Sequence, residues 1–140
     1  MSVRMDATAL AAFLEREFPQ VHSDFVIERV AEREVTVRLA VETRHLRPGG
    51  TVSGPTMFSL ADVTVYLAVL AMIGPRALAV TTNCSIDFMR KPANGADLLA
   101  TCRLLKLGRL LAVGDVLIHS EGVPDPVARA TLTYAIPPEG

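Results

Sequence analysis

The sequence predicts an α+β fold in which one antiparallel sheet of about six strands wraps around a long central helix, with a short helix at the N-terminus. Three observations carry this. Residues 57–73 are apolar or small almost throughout, and Gly and Pro signals bound them. Two segments before that run and four after it read as strands separated by turn residues. The chain has 140 residues, which suits one domain spanning 1–140.

The elements follow in order. MSVRMDATALAAFLEREF holds an apolar patch of only about five residues and then charges, which predicts an amphipathic helix near residues 7–18 rather than a signal peptide. In EVTVRLAV the alternation puts Val35, Val37, Leu39 and Val41 on one face. Phe25, Ile27 and Val30 suggest its partner strand, with a turn near Ala31-Glu32-Arg33.

The stretch SGPTMFSLADVTVYLAVLAMIG, residues 53–74, predicts a helix over about 55–73. Pro55 suits a first helical turn, where a missing N–H matters little, and Gly74-Pro75 is a stop. A helix apolar on nearly all sides belongs in a core or a membrane. The uncharged part, Val63 to Ile73, is too short to span, and a span of about 18 residues would have to include Asp62. An aspartate there costs roughly 3 kcal/mol. The expectation is the core helix of a soluble, cytoplasmic protein with no membrane contact.

Residues 78–92, 96–108, 109–122 and 126–136 read as strands. Turns are expected at Ala93-Asn94-Gly95, at Leu107-Gly108-Arg109 and across residues 122–126.

Half the residues are hydrophobic and the mean hydropathy is +0.34. A chain this size hides only about two thirds of its unfolded surface, so self-association is expected. The net charge is −1 with signs interspersed, and no basic tract points to nucleic acid. Cys84 and Cys102, with three scattered histidines, make no metal-binding spacing; reduced, packed thiols and no metal or cofactor are expected.

Asp62 is the only charged side chain between Arg47 and Arg76. A desolvated carboxylate is a better base near neutral pH, and a helix start offers free N–H groups to a developing oxyanion. Asp62 stands roughly 10 Å along the axis from that start. One carbonyl cannot touch both ends of that span, so the site is expected to combine Gly54 of one copy with Asp62 of another.

Plainer roles stand beside these. Asp62 would serve equally as the partner of a buried arginine. Ser53 suits a helix N-cap. Thr81 is an ordinary strand residue, and Asn83 is a less usual one. Arg90 and Lys91 fit a solvated strand end, and Gly108-Arg109 a hairpin turn. His45 lies in the loop before the helix, within approach of the site. His22 and His119 read as surface residues, and Cys84 as a packed thiol.

Gly50-Thr51-Val52-Ser53-Gly54-Pro55, followed by Leu60-Ala61-Asp62-Val63 on a helix, resembles the hallmark of the hot-dog fold thioesterases, in particular the PaaI-like (phenylacetate-degradation) branch. That hallmark is a loop reading G-x-x-H-G-G and then a helix carrying L-x-D-x-A. Val80-Thr81-Thr82-Asn83 through Phe88-Met89-Arg90-Lys91-Pro92 resembles the later family strand, and Gly108-Arg109 the family's Gly-Arg turn. The likeness covers about residues 20–136. It implies an acyl-CoA thioesterase working as a homodimer or dimer of dimers. In it Asp62 is base or nucleophile, Gly54 the oxyanion donor, and Thr81 the hydroxyl that helps hold the attacking water. Ser53, Asn83, Arg90, Lys91, Gly108 and Arg109 are the candidate substrate contacts.

Three positions depart from the pattern. The family histidine is Ser53, the following glycine is Pro55, and the upstream asparagine is Arg47. Pro55 has no N–H, which leaves Gly54 as donor. A non-hydrolytic acyl-CoA-binding protein is the alternative these changes favour. A hot-dog dehydratase ranks last, because no histidine occurs between His45 and His119.

Overall fold

The structure, a computed structural model, describes residues 2–138. Helix α1 spans Ala7–Glu17, and its N-cap Asp6 accepts from the Ala9 N–H. Leu10, Phe13 and Leu14 turn its apolar stripe inward. A one-turn α2, Pro19–His22, and a 3-10 turn at Thr43–His45 follow. Neither was expected, since elements this short hold no periodicity to read.

The strands are β1 Phe25–Ala31, β2 Glu34–Leu39, β3 Val80–Phe88, β4 Leu98–Leu107, β5 Leu111–Ser120 and β6 Ala128–Ala135, with α3, Gly54–Ile73, between β2 and β3. They form one sheet in the order β1-β2-β4-β5-β6-β3, and every pairing is antiparallel. The expected six strands and central helix are therefore present. Arg33 turns between β1 and β2 with φ 58. In β2, Val35, Val37 and Leu39 face the core, as their alternation predicts.

Helix α3 begins one residue earlier than expected. Ser53 caps it: its Oγ accepts from the Thr56 N–H at 3.3 Å and pairs with the Thr56 hydroxyl at 2.8 Å. Gly74, at φ 93, ends it. By length and composition α3 could cross a membrane, yet 13 of its 20 residues are buried against the protein's own sheet. The sheet curls round it, so apolar residues face packing partners on nearly every side.

Outside the core, Arg38 on β2 ties four segments together. Its guanidinium donates to Glu28, to Asp97 at 3.0 Å and to Glu121 at 2.7 Å. Asp97 also accepts from the Val41 N–H at 2.9 Å. That backbone donor first, and then Arg38, hold the Asp97 carboxyl below its ordinary range. A carboxyl lowered by folding contributes stability above its unfolded value, and that contribution is lost as pH falls through the lower folded value. Asp97→Asn is therefore expected to lower stability by about 1 kcal/mol at pH 7. Its deficit against wild type should shrink as pH falls below the ordinary aspartate range in denaturant titrations across pH. A constant deficit at every pH would contradict this.

Edge strand β1 packs against α1. At the other edge β3 has no partner on its outer side among the described residues. Val80 and Phe88 at its two ends are 56% and 51% exposed, and the neighbouring Leu78 is 79% exposed. An edge of this kind is a template for pairing with another chain.

Candidate active site

Asp62 lies on α3 where β3 and β6 cross it. The Thr81 hydroxyl donates to Asp62 Oδ1, and so does Tyr134 Oη at 2.7 Å. The Tyr134 hydroxyl also stands 3.0 Å from the Asp62 carbonyl oxygen. Thr81 and Tyr134 are direct partners across the β3–β6 ladder, so the two donors arrive as a pair. Among the described residues no cation pairs with Asp62 and no donor reaches Oδ2. The alternative of a buried arginine partner is therefore not what the structure contains.

A cavity of about 370 Å³ opens beside this carboxylate, walled by Phe18, Val63, Tyr66, Ala79 and Tyr134. The aromatic residues brace one another. Phe18 meets Tyr66 edge-on with centroids 6.3 Å apart, and Tyr66 and Tyr134 are 6.1 Å apart. Tyr66 Oη donates to the Ala77 carbonyl at 2.9 Å, which fixes the middle ring. Burial, with the Asp62 charge adding to it, holds the Tyr134 phenol well above its ordinary range, so it stays a neutral donor.

The helix start builds a second cavity, of about 410 Å³, lined by Gly54, Phe88, Arg47, Arg90 and Lys91 among others. The Gly54 N–H has no backbone partner among the described residues, as expected of a first helical position. A Cβ on Gly54 would stand 3.4 Å from the tip of the Phe88 ring, so Phe88 packs directly over the helix start. Arg90 and Lys91 thus gather with Gly54, and Arg90 also donates to the Pro126 carbonyl at 2.6 Å.

Other candidates lie elsewhere. Ser53 is occupied as N-cap. Asn83 is paired with Thr133, next to the inward Tyr134, so it faces the outer side of the sheet, away from Asp62. A bulge between Thr81 and Asn83 makes this so, because the extra residue breaks the alternation that would otherwise give them one face. The Gly108-Arg109 turn sits at the Asp62 end of the sheet, where Leu111 pairs with Ala135, and not beside Gly54 of the same chain. The His45 carbonyl accepts from the Ser53 N–H at 2.9 Å, beside the helix start, but its ring turns inward. It is buried, with Nδ1 accepting from the Glu42 N–H at 2.9 Å and Nε2 3.3 Å from Asp24. Burial, then the Asp62 charge, raises the Cys84 thiol above its ordinary value, which suits a packed residue rather than a nucleophile. Burial pushes Cys102 up to about 12.

Sequence reasoning missed Tyr134 and Phe18. For Tyr134 a signal existed: the alternation in TLTYAI puts its hydroxyl on the core face, where a phenol needs a partner.

A family model described as the thioesterase superfamily matches residues 49–126. The crystal structure of a provisionally assigned thioesterase from Silicibacter sp. TM1040 superposes with a TM-score of 0.93 at 62% identity, covering 99% of this chain and 96% of that one. A point mutant of the phenylacetic acid degradation protein PaaI from Thermus thermophilus matches with a TM-score of 0.73 at 30% identity, covering 85% and 99%. A Streptococcus mutans protein bound to acetyl-CoA matches with a TM-score of 0.72 at 27% identity, covering 82% and 90%. The chain belongs to the thioesterase superfamily. Its fold is the hot-dog fold, its likeness is to PaaI-like members, and by class it is a thioester hydrolase.

Proposed function

We propose that this chain hydrolyses acyl-CoA thioesters at a site shared between two copies, with Asp62 of one copy and the Gly54 N–H of the other acting on the same carbonyl. The observation that carries the reading is the separation of the two cavities. Asp62 and Gly54 are eight residues apart on one helix, about 12 Å along its axis, and each lines its own pocket. Edge strand β3 runs past both, with Thr81 near one end and Phe88 at the other. Antiparallel pairing of β3 with a two-fold-related β3 would bring the Thr81 end of one copy to the Phe88 end of the next. Asp62 would then face the partner copy's helix start.

In that arrangement the Gly54 N–H and the positive end of α3 receive the oxyanion. Asp62 either takes a proton from the attacking water or attacks directly, forming a mixed anhydride that water then hydrolyses. The C–S bond breaks, CoA leaves as a thiol, and the acyl group leaves as a free acid. The acyl group would lie in the aromatic-walled cavity beside Asp62. Arg47, Arg90 and Lys91 form a cationic rim suited to the phosphates of CoA. The acetyl-CoA bound to the Streptococcus mutans relative supports CoA as the carrier.

The test is free-thiol release from short, medium, long and aryl acyl-CoAs, read beside the molecular mass in solution. Turnover of at least one thioester by a dimer or larger assembly is expected. Turnover that persists undiminished in a monomeric form would sink the shared site. Tight acyl-CoA binding without turnover at any pH would favour a binding protein instead.

A further inference from the structure

We infer that Tyr134 is a positioning residue that, together with Thr81, pins Oδ1 of Asp62 and so reserves Oδ2 as the oxygen that reacts. This rests on the proposed hydrolytic role of Asp62. Tyr134 lies outside residues 49–126, the part matched by the family model, and its hydroxyl is aimed at the carboxylate rather than at solvent.

A carboxylate on a helix can rotate about its last bond and offer either oxygen. Here two hydroxyls from adjacent strands converge on one of them. Tyr134 stands at 2.7 Å, and Thr81 donates beside it. Oδ2 has no donor among the described residues, and Asp62 lines the cavity. The clamp also survives the reaction. If Oδ2 takes a proton, Oδ1 becomes the carbonyl oxygen of a neutral acid and still accepts both hydrogen bonds. If Oδ2 attacks, Oδ1 becomes a carbonyl oxygen of a mixed anhydride, which water then hydrolyses, and it again remains an acceptor. The clamp thus orients without competing for the reacting lone pair.

Tyr134 is itself held. Its ring packs near Tyr66, and Tyr66 is tied to the Ala77 carbonyl. A chain of fixed groups therefore runs from the loop after α3, through two rings, to one carboxylate oxygen. Small errors in reacting geometry are expensive: a displacement of about 1 Å can cost roughly 100-fold in rate.

The experiment compares wild type, Asp62→Asn, Tyr134→Phe, Thr81→Val and the double variant of the last two, by steady-state kinetics on the best acyl-CoA and by thermal melting. Tyr134→Phe keeps the ring and removes only the hydroxyl. It is expected to lower kcat roughly 10- to 100-fold while KM stays within about twofold. Thr81→Val should act in the same direction. The double variant should lose less than the product of the single losses, because both donors serve one oxygen. A folded Tyr134→Phe with the kcat of wild type would overturn the inference while leaving the role of Asp62 intact. So would a change confined to KM or to melting temperature, which is what a packing role alone would give. If Asp62→Asn retained wild-type kcat, the hydrolytic reading would fail, and the inference with it.

Discussion

Replacing Asp62 with asparagine is expected to lower thioester hydrolysis by about 1,000-fold or more, the scale of losing a positioned base, while the melting temperature moves by only a few degrees. The substitution is almost isosteric. An asparagine side-chain oxygen can take the place of Oδ1 and keep accepting from Thr81 and Tyr134, so the clamp and the packing of α3 survive. The amide nitrogen then occupies the place of Oδ2. It can neither accept a proton from water nor attack a carbonyl. Asp62 has no cationic partner among the described residues, so removing its charge strands no buried cation. The measurement is thiol release beside a melt. A folded variant with wild-type turnover would make Asp62 a structural residue, and the lone charge on α3 would then need another explanation.

The second large effect is on stability. Gly114 on β5 faces the core, packed against β4 and α3. A Cβ built there would lie 2.9 Å from Cys102 Sγ and 3.0 Å from Val65 Cγ1. Both neighbours are fully buried, Cys102 on β4 and Val65 on α3, so neither has open space to move into. Gly114→Ala is expected to cost about 1–3 kcal/mol by overpacking, and Gly114→Val more. In a chain of this size that lowers the melting temperature by several degrees for alanine. Chemical denaturation at constant m-value would measure it. An unchanged midpoint for Gly114→Val would mean that sheet and helix separate easily, against the close packing of the two layers.

These two residues differ in how far the sequence marks them. Asp62 stood out because charge is expensive in an apolar helix, so its position alone announced a special role. Nothing marked Gly114 in the sequence. A glycine within a strand is ordinary until the distance to a helix residue 49 positions earlier is known. The same holds for the site. Gly54, Arg90 and Lys91 were named from separate segments, and only the packing of Phe88 against the helix start gathers them at one cavity. Asn83 lies on the other face from Thr81 for a local reason: one bulge residue between them shifts the alternation. His45 does lie beside the helix start, where its carbonyl accepts from the Ser53 N–H, but the 3-10 turn buries its ring near Asp24.

By itself the sequence determined the order of α1, the six strands and the central helix, that helix's ends to within a residue, the alternating faces of β2, and the isolation of Asp62. These follow from local periodicity, capping residues and the cost of a charge in an apolar helix, which act over a few residues and can be read along the chain. Tertiary structure alone decided that Tyr134 and Thr81 meet on one oxygen, that Phe18 walls the cavity, and that Asp62 and Gly54 open into separate pockets. Each of these depends on strand order and register, which join residues tens of positions apart through hydrogen bonds and packing that no local pattern encodes.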